Sequence, residues 1–406
     1  VNPYPRRLGL TTSPLDLELP PLPDEARADL TYLPAFAIDD EGSQTPDDAL
    51  SLEGDRLWVH VADAAALVRP GDAVDLEARA RGASLHLPES IVPMLPESAT
   101  QRLGLGLAEV SPALSFGIDV RPEGQILGLE ILPAWVRVTR LTYEEAEAQL
   151  DQAPFRSLYR LAQTYQARRR ANGAVSIDFP EVRVRVQEEQ VSLRLLPPLK
   201  SRLLVQEAMI LAGEAVAHFA LERDIPLLYA TQEVADVGQP VGDVLSLAQM
   251  VALRRTLKRS QYRTTPAPHG GMGLSAYTQA TSPLRRYPDL VVHQQVRAFL
   301  RGEGLLGTQD MVERIGAVEA VIGSVRQVEQ LSDRHWTLVY LRRQPGWCGE
   351  GVVVEQHGQS GKVLIPELGL EVPLRLPADA SPDSRLPLVL NGVNLAQLEA
   401  YLRVRT

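Results

Sequence analysis

The sequence predicts an α+β protein that carries a small all-β barrel at its C-terminal end. Three observations predict this class: strand-like apolar runs up to residue 138, helical periodicity between residues 143 and 341, and a return to short strands from residue 346. At 406 residues the chain is longer than one ordinary domain, which agrees with a division into two or three units. We place the boundaries near residues 34 and 345.

Residues 1–33 are predicted to be a proline-rich N-terminal arm or linker. Seven prolines fall within the first 34 residues, and this segment has little periodicity. No signal peptide is visible. Because the first residue is Val1 and not Met, we expect further residues upstream.

The first β region follows this arm. Leu33–Ile38 is a short apolar run, and Arg56–Ala62 has the composition of a strand. Ala113–Val120 and Gln125–Val138 predict a strand pair, because the turn sequence Pro122-Glu123-Gly124 lies between them.

The central region predicts helices. Tyr143–Leu150 follows Thr142, which can form a capping box with Glu145, and Leu158–Ala171 ends at Asn172-Gly173. The longest apolar stretch of the chain contains two glutamates, so we interpret it as a buried core helix and not as a membrane span. Four more segments have helical periodicity: Ser201–Arg223, which includes this stretch, Leu245–Lys258, Tyr287–Leu300 and Asp310–Leu341.

The C-terminal region returns to a β pattern. Short strands at this spacing are typical of a small barrel such as the OB-fold. The predicted strands are Gly349–Glu355, Gly361–Pro366, Leu370–Leu376 and Leu386–Leu390.

The charge of the chain is unevenly distributed. A formal net charge of −10 argues against nucleic-acid binding. However, residues 15–65 contain thirteen acids and two arginines, whereas residues 250–300 contain seven arginines, one lysine and one acid. This asymmetry suits an acidic metal site that faces a basic phosphate-binding surface, and it equally suits two solvated charged faces.

The single cysteine, Cys348, excludes an internal disulfide bond and a zinc site built from several cysteines. We expect a buried, reduced thiol in a cytoplasmic protein. We further expect a monomer that does not contact a membrane.

The strongest functional signal is the acidic segment from Asp39 to Asp48. An apolar strand ends at Asp39, a Gly-Ser-Gln-Thr-Pro loop follows, and Asp47 and Asp48 precede another apolar stretch. Carboxylates this close repel one another unless a cation neutralises them, and Mg²⁺ needs only two or three such ligands because it keeps several waters. The alternative is a solvated acidic loop.

This acidic segment resembles the signature of the ribonuclease II and R family, in which Ile-Asp is followed by Asp-Asp-Ala. The resemblance implies an RNB-type catalytic domain over residues 34–345, with a mixed β-sheet and flanking helices. It also implies an S1-like OB-fold RNA-binding domain over residues 346–406. Further segments resemble the family in the same order along the chain: Trp58–Asp63, Leu85–Pro88, Ile91–Pro96, Val205–Ala212 and Tyr277–Leu290.

The resemblance implies a Mg²⁺-dependent 3′→5′ exoribonuclease that hydrolyses single-stranded RNA to nucleoside 5′-monophosphates. It assigns one or two Mg²⁺ ions, for which Mn²⁺ can substitute, to Asp39, Asp47 and Asp48. Asp47 would be either a ligand or a residue that orients the 3′-terminal nucleotide. Arg285 would stabilise the charge that develops on the scissile phosphate. Tyr143 would lie near the cleavage site, although packing at a helix start is an alternative explanation.

Three further residues are candidates for RNA contacts. His86 stands where the family has a tyrosine that stacks on a base. Arg286 could contact a phosphate or pair with Asp289. Glu329 matches an acid that the family uses near the bases of the 3′ end. Each has a structural alternative: a hydrogen-bonded histidine, an ion pair and a solvated helical acid, respectively.

Three departures from the family pattern raise a second hypothesis. Thr45 replaces an aspartate, His86 replaces a tyrosine, and Ile177 replaces a phenylalanine that stacks at the 3′ end. These changes favour a catalytically impaired RNA-binding protein of the same fold. We prefer the enzyme, because closely packed acids would repel an RNA phosphate unless a metal lay between them.

Overall fold

The computed structural model describes residues 2–234 and 245–405. Its α-helices are α1 Tyr4–Arg7, α2 Ala73–Arg81, α3 Glu97–Leu103, α4 Tyr143–Glu147, α5 Phe155–Ala171, α6 Lys200–Leu221, α7 Leu247–Thr256, α8 Tyr287–Leu300 and α9 Thr308–Arg342. Its first nine strands are β1 Ala28–Asp29, β2 Ala35–Asp39, β3 Asp48–Glu53, β4 Arg56–Ala62, β5 Leu85–Leu87, β6 Ser90–Val92, β7 Ser111–Val120, β8 Ile126–Val136 and β9 Val138–Thr142. The others are β10 Val182–Gln187, β11 Gln190–Leu195, β12 Tyr229–Thr231, β13 Gln261–Arg263, β14 Cys348–His357, β15 Ser360–Ile365, β16 Leu370–Arg375, β17 Arg385–Asn394 and β18 Glu399–Val404.

A seven-stranded mixed sheet lies at the centre of the larger domain. Its strand order is β1-β8-β7-β4-β3-β2-β9, in which β1 pairs with β8 and β2 pairs with β9 in parallel. Successive side chains of a strand point to opposite faces. On β4, Leu57, Val59 and Val61 therefore join one buried core, whereas Trp58 and Ala62 join another.

Helices cover both faces of this sheet. α5 and α6 pack on one face, and α2, α8 and α9 contribute to the core on the other. By length and composition α6 could cross a membrane, but 78% of its most apolar window is buried inside the protein. The prediction of a buried core helix is therefore confirmed.

Most predicted elements are present. β4 and α8 have the predicted bounds, and Thr142 and Glu145 form the predicted capping box at the start of α4. The antiparallel hairpin of β10 and β11 was not among the predicted elements, although Val and Arg alternate along β10 as is typical of a half-buried strand.

The C-terminal residues form a five-stranded antiparallel sheet in the order β16-β15-β14-β17-β18. Its outer strands β16 and β18 contact each other, so the sheet nearly closes into a barrel. This confirms the predicted OB-type barrel, with β18 as a strand that was not predicted. Cys348 is exposed at the start of β14, so the prediction of a buried thiol was wrong.

The predicted N-terminal arm is extended and packs on the larger domain. Leu17, Leu19 and Leu22 lie against the core that α8 shares with the sheet. Ala28 and Asp29 add strand β1 to the edge of the sheet. An extended arm therefore describes this segment better than a free linker, and the domain boundary near residue 34 stays a prediction.

Candidate active site

Strand pairing brings the acidic segment and Tyr143 together. Asp39 is the last residue of β2, and Asp48 is the first residue of β3, the neighbouring antiparallel strand. On its other side β2 pairs in parallel with β9, where Thr142 is the partner of Asp39. Because α4 begins at the next residue, Tyr143 lies beside the two carboxylates.

These residues line a cavity of about 950 Å³. Its walls come from the acidic segment, the β5–β6 hairpin, strand β10 and one side of α9. The lining includes the predicted residues Asp39, Asp47, Asp48, His86, Tyr143, Arg285 and Glu329, and also Thr45. Ile177 is half-buried and is not among the lining residues.

Asp47 is buried, and its carboxylate is held by two donors. The backbone N–H of Leu284 donates to Oδ1 over 2.9 Å, and Nε of Arg285 donates to Oδ2 over 3.0 Å. Burial nevertheless raises the pKa of Asp47 to about 6, because loss of water outweighs the nearby arginine charge. Both oxygens of Asp47 are thus engaged by protein donors, and the two predicted roles, metal ligand or orientation of the 3′-terminal nucleotide, stay predictions.

Asp39 and Asp48 are less well neutralised. Burial and, after it, the negative charge of Asp39 raise the pKa of Asp48 to about 7 against the opposing charge of Arg285. Burial also raises the pKa of Asp39, although Arg140 and Arg285 act in the opposite direction. The two carboxylates are therefore close enough to repel each other.

A divalent cation fits this donor set. Mg²⁺ prefers oxygen ligands and keeps several waters, so two carboxylates and solvent suffice to hold one ion. No group of three or more His, Cys, Asp or Glu side chains is arranged to hold a metal among residues 2–234 and 245–405. Asp39 and Asp48 are thus the residues that could hold a cation, while the Asp47 carboxylate is engaged by Leu284 and Arg285.

The two predicted arginines have different surroundings. Arg285 lines the cavity, and apart from Nε its guanidinium makes no hydrogen bond within the described part of the chain. Arg286 pairs with Asp289 over 2.7 Å and does not line the cavity. Of the two alternatives for Arg286, the structure has the ion pair, and a phosphate contact has no support from this placement.

His86 and Glu329 lie together at the cavity wall. The Glu329 carboxylate accepts the backbone N–H of His86 over 2.9 Å and lies 3.6 Å from its Nδ1. The His86 side chain is 46% exposed, so its ring remains accessible to a ligand. Nearby, burial and the negative charges of Glu329 and Glu89 together raise the pKa of Asp333 to about 6.

The arginines that bind the acidic segment, Asp39 to Asp48, are functional candidates that the sequence did not reveal. Arg183 and Arg202 both pair with Asp40, and their charges lower the pKa of Asp40 although burial acts to raise it. Arg185 donates to the backbone of the same loop at Glu41. These residues lie more than 140 positions from Asp40, so spacing could not have identified them. The alternating strand pattern of β10 was the available signal.

Comparison with known proteins identifies the fold and the family. The model of the RNB domain family matches residues 27–302. An uncharacterized ribonuclease of Synechocystis sp. is 36% identical over 97% of this chain and 62% of its own length. The chloroplastic and mitochondrial ribonuclease II of Arabidopsis thaliana is 34% identical over 78% of this chain and 42% of its own length. The chain thus spans less than two thirds of the length of these relatives.

Solved structures share the same architecture. Mycoplasma genitalium RNase R in complex with double-stranded RNA superposes with a TM-score of 0.84 at 20% identity, covering 99% of this chain and 82% of that chain. Yeast Ssd1, a pseudonuclease, superposes with a TM-score of 0.72 at 19% identity, covering 92% of this chain and 54% of that chain. Identities this low show the fold alone. Because the family model covers more than half of the sequence, the chain belongs to the RNB-type exoribonuclease family.

Proposed function

We propose that this protein is a divalent-metal-dependent 3′→5′ exoribonuclease that hydrolyses single-stranded RNA to nucleoside 5′-monophosphates. One observation carries the proposal: the mutually repelling carboxylates of Asp39 and Asp48 share a cavity with the available guanidinium of Arg285. Mg²⁺ is the proposed cofactor, bound as one or two ions, and Mn²⁺ is its proposed substitute.

In the proposed reaction, Asp39 and Asp48 hold the cation, which when bound can activate a water and neutralise charge on the phosphoryl group. Arg285 contacts the scissile phosphate through its Nη atoms and stabilises the charge that develops there. Asp47 fixes the direction of the Arg285 guanidinium through Nε. The Tyr143 hydroxyl keeps its proton, because burial and the charges of Asp48 and Asp39 raise its pKa, so it acts as a hydrogen-bond donor.

Two observations support RNA as the substrate. RNase R of Mycoplasma genitalium, which shares the fold, has been solved in complex with double-stranded RNA and with ribose-methylated single-stranded RNA. In this chain, His86 and Glu329 lie on the wall of the cavity, where an exposed imidazole can stack on a base. We propose these two side chains as base contacts.

A second candidate function is RNA binding without catalysis. The similarity to the pseudonuclease Ssd1 favours it, because the same fold also occurs in a protein described as lacking nuclease activity. Thr45 adds to this case, since it supplies no carboxylate to the cavity. Against it stands the repulsion between Asp39 and Asp48, which has no purpose in a protein that only binds a polyanion.

The deciding experiment uses 5′-labelled single-stranded RNA. With Mg²⁺ we expect a ladder that shortens from the 3′ end, and we expect it to disappear with a chelator. Asp48→Asn should lower the rate by about a thousandfold, the scale at which loss of a key electrostatic group acts in catalysis. Asp119→Asn, a change in an exposed carboxylate of the central sheet, is the matched control and should retain full activity.

The two candidate functions give different outcomes in this assay. RNA that stays intact with the wild-type protein and Mg²⁺, but that binds it in a filter assay, would favour the binding protein. A ladder that persists with Asp48→Asn would remove Asp48 from the proposed site.

A further inference from the structure

The ring of Tyr143 is held by an arginine from another element. The guanidinium carbon of Arg202, in the first turn of α6, lies 4.2 Å from the centroid of the Tyr143 ring. A guanidinium this close to an aromatic face is attracted by its π electrons. The Arg202 Nε atom is buried and makes no hydrogen bond within the described residues, as expected of a group that faces a ring.

Arg202 is itself fixed by Asp40. Its Nη2 atom donates to Oδ1 of Asp40, while Arg183 from β10 donates to Oδ2 of the same carboxylate. The side chains of Arg202 and Asp40 are 22% and 25% exposed, so the pair is partly shielded from water. Asp40 directly follows Asp39, and the contact therefore links the Tyr143 ring to the end of β2.

Ser201, the residue before Arg202, makes two hydrogen bonds to helix α4. The Ser201 hydroxyl donates to the backbone carbonyl of Tyr143 over 2.8 Å. The Ser201 backbone N–H donates to Glu147 over 2.7 Å. The first turn of α6 thus contacts α4 twice: Ser201 hydrogen-bonds to the helix, and Arg202 lies over the face of the Tyr143 ring. This leaves the ring little freedom to turn away from the carboxylates.

We propose that Arg202 is a positioning residue for the reaction: anchored by Asp40, it holds the Tyr143 ring against the Asp39 and Asp48 carboxylates. This inference rests on the proposed nuclease function. In this proposal Asp40 forms ion pairs with Arg183 and Arg202 and is not a further metal ligand. Lysine could keep the charge at this position but not the planar face that stacks on the ring, so it would replace Arg202 only in part.

A double-mutant cycle tests this role. Arg202→Met should lower kcat on single-stranded RNA about tenfold, with KM changed less than about twofold, because the contact positions a group and does not bind substrate. Arg202→Lys should lower kcat by less than Arg202→Met. In a Tyr143→Leu background, adding Arg202→Met should change kcat less than about twofold, because its partner is already absent.

Two further variants complete the design. Asp40→Asn preserves the size of the anchor but removes its charge, so it should lower kcat in the same direction even if Arg202→Met folds poorly. Arg223→Met is the matched control and should leave kcat unchanged, because Arg223 also lies over an aromatic ring, that of Phe219, but just beyond the other end of α6 and outside the cavity lining.

The outcomes separate this inference from the proposed function. If the wild-type protein does not shorten RNA, the nuclease assignment and this inference both fail. If it does, and the effects of Arg202→Met and Tyr143→Leu on kcat simply multiply, Arg202 does not act through Tyr143 and only this inference is overturned. A KM effect without a kcat effect would also overturn it, because Arg202 would then be a binding residue.

Discussion

Two clusters of buried and partly buried acids in this molecule are neutralised to different degrees. In the first, the arm residue Glu25 and the core residue Asp63 are surrounded by Arg27, Arg297 and Arg301. These five side chains form ion pairs of 2.6 to 2.7 Å, and the Asp63 side chain is fully buried. The arginine charges lower the pKa of Glu25 although burial acts to raise it.

The second cluster is the cavity, where the balance is reversed. The charges of Arg285, Arg140 and Arg286 act to lower the pKa values of Asp39, Asp47 and Asp48, yet the pKa of each acid is raised because burial outweighs them. The first cluster stabilises the fold by joining the arm to α8. The second costs stability until a cation arrives, which is typical of a functional site. The following predictions test this contrast, from the largest expected effect to the smallest.

Removing a charge from the first cluster should destabilise the protein. Asp63→Asn leaves Arg27 and Arg297 with less neutralising charge in a buried position, so the free energy of unfolding should fall by about 3 to 5 kcal/mol. Denaturant unfolding measures this effect. Glu109→Gln is the control, because its single contact with Arg137 over 3.3 Å is exposed and should be worth less than about 1 kcal/mol. Equal losses in the two variants would contradict the assigned role of the cluster.

The second cluster should respond to pH in the direction expected of raised carboxyl pKa values. The folded state keeps protons on Asp47 up to about pH 6 and on Asp48 up to about pH 7, whereas an ordinary aspartate has a pKa of 3.8. The unfolded chain loses these protons first, so the free energy of unfolding should fall as pH rises between these values, by a few kcal/mol without metal.

The variant Asp48→Asn, also used in the activity assay, tests this pH effect. Asp48→Asn removes one titrating group, so the metal-free variant should lose less stability between about pH 5 and about pH 8 than the wild type. Thermal unfolding in the presence of a chelator measures both proteins. Parallel pH profiles would show that Asp48 carries no unfavourable charge.

The smallest effect concerns metal binding itself. Mg²⁺ at about one hundred times its Kd should raise the free energy of unfolding of the wild-type protein by about 2.7 kcal/mol at pH 8. Asp48→Asn should gain little from the same concentration, because one of the two available carboxylates is lost. Equal stabilisation of both proteins would mean that the ion binds elsewhere.

Much of the fold could be predicted because its signals are local. Strand β4 and helix α8 follow from alternation and helical periodicity over a few residues, and the α4 capping box follows from the spacing of Thr142 and Glu145. The β10–β11 hairpin and β18 were not predicted, because short strands that are partly exposed on both faces show only weak alternation of apolar and polar residues. The exposure of Cys348 could not be read from its chemistry, which only favours burial on average.

The candidate site was predictable in its acids but not in their partners. The acidic segment and the arginine motif around Arg285 are contiguous in the sequence. The basic stretch of residues 250–300 suited either a surface facing the acids or a solvated charged face, and of its arginines Arg285 does line the cavity beside Asp47. In the structure, Arg254 and Arg255 pair with the C-terminal barrel instead, and Arg297 pairs with the arm. The acidic loop is held by arginines from β9, β10 and α6.

The sequence by itself determined most of the strands and helices, the family resemblance and the acids of the cavity, because each depends on residues that lie close together along the chain. Only the tertiary structure decided which charges meet. Arg285 reaches Asp47 across 238 positions, and Arg202 reaches Asp40 across 162. Electrostatic energy depends on distance in space and on exclusion of water. A carboxylate can therefore be neutralised by arginines at one place in the fold and remain available to bind a cation at another.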